Sequence, residues 1–512
     1  MTMLIKIILL LLFFGCMILV GFYARKSATS TTDFVLGGRS VGPWLSAFAY
    51  GTSYFSAVVF VGYAGQFGWK YGLASTWIGL GNAVLGSLIA WVVMGRRTRI
   101  MTHYLEVATM PDFFGKRYDS SVIKIVASAI AFVFLIPYTA SVYNGLSRLF
   151  GMAFDIPYTV CVITMAVLTG IYVILGGYMA TAINDFIQGT IMLIGIVAVI
   201  GAVLSGQGGF LEAVRKLAEL PSDVPVTLGQ PGAFASFFGT DPLNLLGVII
   251  LTSLGTWGLP QMVHKFYAIK SETAIKTGTI VSTFFAIIVS GGCYFLGGFG
   301  RLFDTPSLYK PDGSVMYDAI VPSMLSTLPD LLIGVVIVLV LSASMSTLSS
   351  LVLTSASTLT LDFIKGTIVK NMDDKKQLLY IRVLIVFFIV LSVVLALNPP
   401  TFIAQLMGIS WGALAGAFLA PFLYGLYWKG VTRAGVWASF ICGVGITVSN
   451  MFFKFIASPI NAGAVAMIVG LLVTPIVSLI TPKLKDTFTT TIFQCYNSTV
   501  NVPNKAYLKE EP

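Results

Sequence analysis

The apolar positions of this chain come in blocks of about twenty residues divided by short polar stretches, without the alternation that marks a membrane strand. A run of roughly 20 apolar residues at 1.5 Å rise spans a hydrocarbon core of about 30 Å, so each block predicts one crossing helix. Blocks fall near residues 4–23, 45–68, 75–94, 122–150, 158–177, 185–206, 243–266, 276–300, 331–361, 378–397, 402–427, 436–453 and 462–480. They predict an all-α membrane protein of about thirteen transmembrane helices, because lipid offers the backbone no partners and a helix satisfies its own. The first block is too long for the apolar part of a secretory signal and carries Arg25 and Lys26 after it, so it is expected to stay as an anchor.

Composition supports the same solvent. Of 512 residues 56% are hydrophobic and 10% charged, against about 25% charged in an ordinary soluble domain. The few charges set an orientation. With the amino terminus outside, Arg25, Lys26, Arg39, Arg96, Arg97, Arg99, Lys116, Arg117, Lys265, Lys270, Lys276, Lys365, Lys370, Lys375, Lys376, Lys429, Arg433 and the tail lysines share one side. The other side holds Lys6, Lys70, Arg148, Arg215, Lys216, Arg301, Lys310 and Lys454. By the positive-inside rule the richer side is cytoplasmic, which predicts a multi-pass protein of the plasma membrane with its carboxyl terminus in the cytoplasm. The net charge of +10 then reflects loops that face anionic lipid, and nucleic acid is not an expected partner. The five cysteines have no metal or disulfide spacing and are assigned to packing.

Helix breakers mark where the blocks depart from plain anchors. The second, "WLSAFAYGTSYFSAVVFVGYAGQFG", and the seventh, "LNLLGVIILTSLGTWGLPQMVHKF", carry Gly and small hydroxyl residues at mid-depth, and the seventh adds Pro260. Interrupted helices at matched places in two halves are the mark of an inverted-repeat transporter, in which unwound backbone offers carbonyls to cations and amides to anions. The two blocks lie five apart and open two five-helix repeats, blocks two to six and seven to eleven. The domain organisation expected is an N-terminal helix and loop over 1–44, a ten-helix core over 45–427, two further helices over 428–482 and a cytoplasmic tail over 483–512. The ninth block poses a separate question: "LSASMSTLSS", residues 341–350, crowds hydroxyls into the middle of a hydrophobic run.

"FVLGGRSVGPW" before the second block, "GTSYFSA" within it, "ILGGYMATAINDFIQGTIMLIG" across the fifth and sixth, and "MSTLSS" in the ninth resemble the sodium:solute symporter family, which includes sodium/proline, sodium/pantothenate and sodium/glucose cotransporters. The resemblance runs from about residue 30 to 430 and implies a LeuT-type five-plus-five inverted repeat. It implies sodium as the co-transported ion, held by the carbonyls of Thr52, Phe55 and Ala343 and the hydroxyls of Ser346 and Thr347. Ala343 precedes the two hydroxyls by three and four residues, so all three share one helical face. Ser342, Ser344 and Ser350 are assigned to helix packing. By the same frame Tyr54, Ser56, Tyr138, Thr252, Thr256 and Trp257 are candidate solute-pocket residues, and Arg39 and Asp185 are candidate coupling residues.

Sodium/proline members of the family carry Asp where this chain has Tyr54, and their pocket aromatics fall at Thr252 and Thr256; pantothenate-like members also lack the Asp. The expected activity is sodium-coupled import of a small organic solute, an amino acid such as proline or a carboxylate such as pantothenate, with a sugar or other solute carrier of the same fold as the alternative. A carboxylate-bearing solute and one sodium per cycle are the specific expectations, and a monomer is the expected working unit. A channel would need a continuous polar pore. An enzyme would need acid–base or nucleophilic groups, whereas the two histidines, His103 and His264, fall in or beside expected cytoplasmic loops.

Overall fold

The computed structural model describes residues 2–154, 157–369, 371–399 and 403–497. Lys370 and the tail beyond residue 497, with its lysines, lie outside the described residues. Among those described there is no strand, only two isolated bridges. Among the described residues ten continuous helices are long and apolar enough to cross a membrane, and the bent pair Pro242–Gly258 and Pro260–Ala268 makes an eleventh.

Two of the ten hold two passes each. The helix Tyr158–Gly206 has 49 residues and would reach about 74 Å if straight, more than twice a hydrocarbon core. It turns at Gly177, where φ is +53° and a Cβ would sit 2.6 Å from the carbonyl oxygen of Phe34. The stretch Val58–Tyr104, 47 residues, turns in the same way at Gly72, φ +60°. Glycine alone accepts that backbone without strain. Counted this way the described residues make thirteen passes, the number of the hydrophobic blocks.

Helix starts follow local chemistry. Ser30, Thr109, Asp241, Ser271, Asp373 and Thr432 each accept a first-turn backbone N–H and so cap the helix that follows. Packing then sorts the passes into a centre and a rim. The ninth (Asp330–Thr358) and eleventh (Ile403–Tyr427) lie deepest, with 72% and 94% of their most apolar windows buried, while the first keeps only 22% buried. Exposed Leu11, Leu19, Ile194, Ile280, Phe284 and Leu472 belong to the outward faces, which suit lipid.

The second and seventh passes are broken in the same manner. The second runs Pro43–Tyr54, leaves helical geometry at Phe55 (φ −100°, ψ 123°), and resumes through a π-helical turn, Val58–Tyr63. The seventh runs Pro242–Leu254, tightens over Gly255–Gly258, leaves helical geometry at Leu259 (φ −88°, ψ 122°), and resumes at Pro260 with a bend of 46°. Proline supplies no N–H to the preceding turn, so a restart there removes one donor that the break would otherwise leave unpaired. The ends of these passes are also tied together: Val41 N–H donates to Ala268 O at 3.1 Å and Lys270 N–H to Val41 O at 3.0 Å.

Candidate functional site

At the first break the backbone stops satisfying itself. After Phe55 the amides of Val59 and Phe60 both donate to Ser56 O, so the carbonyl of Phe55 has no partner along its own chain. The hydroxyls of the ninth pass meet these freed groups. Ser346 Oγ lies 3.0 Å from Thr52 O and 3.1 Å from Ala343 O. Thr347 Oγ1 lies 3.3 Å from Thr52 O, 3.1 Å from Phe55 O and 3.1 Å from Ala343 O. Three carbonyls and two hydroxyls from two helices therefore converge at one buried point. A hydroxyl suits such a place because it donates to the carbonyls when alone and turns its lone pairs inward for a cation.

Two neighbouring serines do more than pack. Ser344 Oγ accepts the Ala57 N–H at 3.3 Å and so holds the far side of the break. Ser350 Oγ lies 2.8 Å from Ser53 Oγ and accepts from Lys265 Nζ at 3.0 Å. Ser342 stays buried with its hydroxyl unpartnered among the described residues.

Lys265 and His264 are where charge counting fails. Both are expected at the cytoplasmic edge, yet Lys265 is 2% and His264 4% exposed. The bend at Leu259 carries the end of the seventh pass back into the bundle, where the ammonium lies over the Tyr178 ring at 5.1 Å and the imidazole meets the same ring at 5.3 Å. Asp185, fully buried on the sixth pass, feels the charge of that ammonium without forming an ion pair of 4 Å or less with it among the described residues. The signal available in the sequence was the apolar run "FYAI" after Lys265, which continues the segment inward. Asp185 lies two turns beyond the restart at Gly177 and not at the helix end, so the helix macrodipole contributes little to it.

Arg39 lies outside the passes and ties three segments together. Its guanidinium donates to the carbonyls of Val107, Thr102 and Tyr267, the last at 3.4 Å, on the third-to-fourth connection, the third pass and the end of the seventh. Burial lowers its pKa to about 10, so it remains charged at neutral pH.

The candidate pocket residues divide into two sets. Tyr54, Ser56 and Tyr138 come together beside the first break. Tyr54 Oη donates to Thr252 O at 2.7 Å, which fastens the first break to the second. The Tyr138 hydroxyl faces Ser56. Thr252 Oγ1 bonds back to Val248 O, Thr256 Oγ1 donates to Gly86 O at 3.2 Å, and Trp257 Nε1 donates to Leu85 O at 2.9 Å. The last two are thus turned toward the third pass, whose π-helical stretch Asn82–Ile89 leaves carbonyls free for side-chain donors. One aromatic residue absent from the sequence-based set belongs with the first group. The Trp411 ring lies 5.6 Å from Tyr54 and 5.8 Å from Tyr138. The space beside the break, lined by Tyr50, Tyr54, Phe55 and Asn82, measures about 10 Å³, enough for one water.

The model of the sodium:solute symporter family matches residues 34–443. The chain belongs to the sodium:solute symporter family. Sodium is accordingly its co-transported ion and sodium-coupled symport its activity. A sodium/proline symporter of Staphylococcus aureus (strain JH9) is 31% identical over 500 residues, covering 93% of this chain and 92% of the relative. Among solved structures, a substrate-bound, outward-open Na+-coupled sialic acid symporter superposes with a TM-score of 0.76 at 17% identity, over 94% of this chain and 98% of that one. Mhp1, a nucleobase-cation-symport-1 family transporter, does so at 0.51 and 13% identity, over 90% and 97%. The fold is of the LeuT type, with the broken second and seventh passes opening its two repeats.

Proposed function

We propose that this symporter binds its sodium between the second and ninth passes, on the carbonyls of Thr52, Phe55 and Ala343 and the hydroxyls of Ser346 and Thr347, and imports a small carboxylate-bearing solute, an amino acid such as proline or a carboxylate such as pantothenate. The observation that carries the reading is the convergence of those five oxygens at a helix break. Neutral oxygens suit a monovalent ion that must also leave. The likeness to sodium/proline symporters supports an amino acid, while Tyr54, Thr252 and Thr256 depart from the proline pattern and support a broader carboxylate class.

The solute pocket in this reading lies between the two breaks, around Tyr54, Ser56 and Tyr138, with Thr252, Thr256 and Trp257 forming its wall toward the third pass. Arg39 and Asp185 couple ion occupancy to closure. The ten-helix core over 45–427 carries transport, between an N-terminal helix over 1–44 and two further helices over 428–482. The amino terminus is outside and the tail over 483–512 cytoplasmic, in the plasma membrane, and a monomer suffices. Each sodium moving inward releases about 2.3 kcal/mol per 100 mV, besides its concentration term. Because linkage is reciprocal, sodium and solute tighten each other's binding.

Reconstitution in liposomes tests this. Labelled proline or pantothenate should accumulate only with an inward sodium gradient, and accumulation that ignores sodium, or is competed by glucose and by no carboxylate, would refute it.

A further inference from the structure

Trp411 occupies a position that no motif points to. Its ring lies edge-on to Tyr138, with an interplanar angle of 82°, and tilted against Tyr54 on the second pass. On the seventh pass it rests on Gly255, where a Cβ would stand 3.0 Å from Trp411 Cε3. One side chain of the eleventh pass therefore touches both broken helices and the fourth. Such a bridge would be complete with a phenylalanine, yet the residue is tryptophan.

The indole N–H has no use in packing. Trp411 is 1% exposed, and Nε1 has no hydrogen-bond partner among the described residues. Trp257 offers the contrast, since its Nε1 is taken by Leu85 O. The Tyr138 hydroxyl, fully buried, makes no hydrogen bond of ordinary length and angle among the described residues, and its polar neighbours are the Trp411 indole and Ser56. Buried N–H and O–H groups cost free energy when unpaired, and native interiors rarely leave two of them side by side. Indole N–H can only donate, and a phenol beside it satisfies an acceptor equally well.

We infer that Trp411 Nε1–H and Tyr138 Oη–H together form a neutral two-donor cradle for an acceptor oxygen of the solute, a carboxylate oxygen in the reading given above, and that Trp411 is a specificity-determining residue. The inference rests on that reading for the identity of the acceptor. The pair presents donors without a cation, so it holds a carboxylate while leaving the charge balance to sodium. A carboxamide offers one neutral acceptor oxygen to the same donors, and such bonds are weaker than those to a charged group. The cradle should therefore discriminate acid from amide.

Trp411→Phe deletes the N–H and keeps an aromatic ring on Gly255 and Tyr54. Labelled L-proline and labelled pantothenate serve as probes in proteoliposome uptake driven by an inward sodium gradient. For the acid that the wild type accumulates, Trp411→Phe should raise KM about 10- to 100-fold with maximal uptake nearly kept, and should abolish the preference for the acid over its carboxamide as competitor. Sodium-dependent thermal stabilisation without solute should be unchanged, which shows that the variant is folded with its ion site intact. Should that stabilisation be lost, Tyr138→Phe supplies the same measurement. A wild-type KM and an unchanged acid-to-amide preference in the folded variant would overturn the cradle and leave the carboxylate reading standing. If the wild type accumulates neither acid, the carboxylate reading falls and the cradle with it.

Discussion

Thr347 Oγ1 stands 3.1 Å from the carbonyl oxygen of Phe55, a contact that joins the middle of one helix to the broken middle of another across 292 residues of sequence. It exists because the second pass gives up its own hydrogen bonds there. The hydroxyls of "MSTLSS" answer that loss, which is why a hydrophobic helix carries them.

Thr347→Ala removes one of five oxygens without opening much space. On the proposed sodium site the lost contact costs about 1.5–3 kcal/mol, which corresponds to a roughly 10- to 150-fold higher sodium requirement. Thr347→Ser should be mild. Sodium titration of solute uptake measures both, and unchanged sodium dependence in Thr347→Ala would return the hydroxyl to helix packing.

One sodium should move per solute. The hydroxyls one turn from the proposed site are already engaged, since Ser350 and Ser53 bond one another and Ser350 accepts from the Lys265 ammonium. Parallel uptake of labelled sodium and solute gives the ratio directly. A value of two would require an ion beside Asp185.

Lys265→Met should destabilise the fold. It removes the ammonium whose charge reaches the buried Asp185 and its hydrogen bond to Ser350, and losses of this kind cost about 1–3 kcal/mol. Asp185→Asn in the same chain should recover part of that loss. Thermal unfolding in detergent of the two single variants and the double variant forms the cycle, and simple additivity would show that the two groups do not interact.

Arg39→Lys keeps the charge and loses the fork that reaches three carbonyls. Uptake should slow on the order of 10-fold, as one or more charged hydrogen bonds are lost. Since the folded pKa of Arg39 is lowered to about 10, the native state binds its proton more weakly than the unfolded chain does, so the penalty is constant below that value and is relieved only as pH rises through it. Stability around neutral pH should show no step from this residue.

Gly177→Ala should cost about 1–3 kcal/mol in backbone strain, and more from the contact with Phe34 O. Gly201→Ala, on the same helix with open space around it, should be nearly neutral. Similar losses from both would mean that the turn at residue 177 is not under this constraint.

Much of the architecture was legible in order along the chain. The thirteen passes follow from block length against bilayer thickness, and the two breaks from Gly, Pro260 and hydroxyls at mid-depth, because both are properties of contiguous residues. The family motifs named the oxygens that the fold then brings to one point. Lys265 and His264 escaped this reading, because whether the last turns of the seventh pass stay in a loop or fold back inward depends on the 46° bend and on Tyr178 of the fifth-to-sixth turn waiting to receive them. Ser350 passed for packing because its partners, Ser53 and Lys265, lie 297 and 85 residues away. Trp411 was silent for the same reason. A tryptophan in an apolar helix carries no sign of its own role until the packing of four passes sets its ring between Tyr54, Tyr138 and Gly255, where its N–H makes no hydrogen bond of ordinary geometry among the described residues. Hydropathy and helix breaks are written locally, whereas the meeting of side chains from distant helices is a matter of interhelical packing, which no single segment encodes.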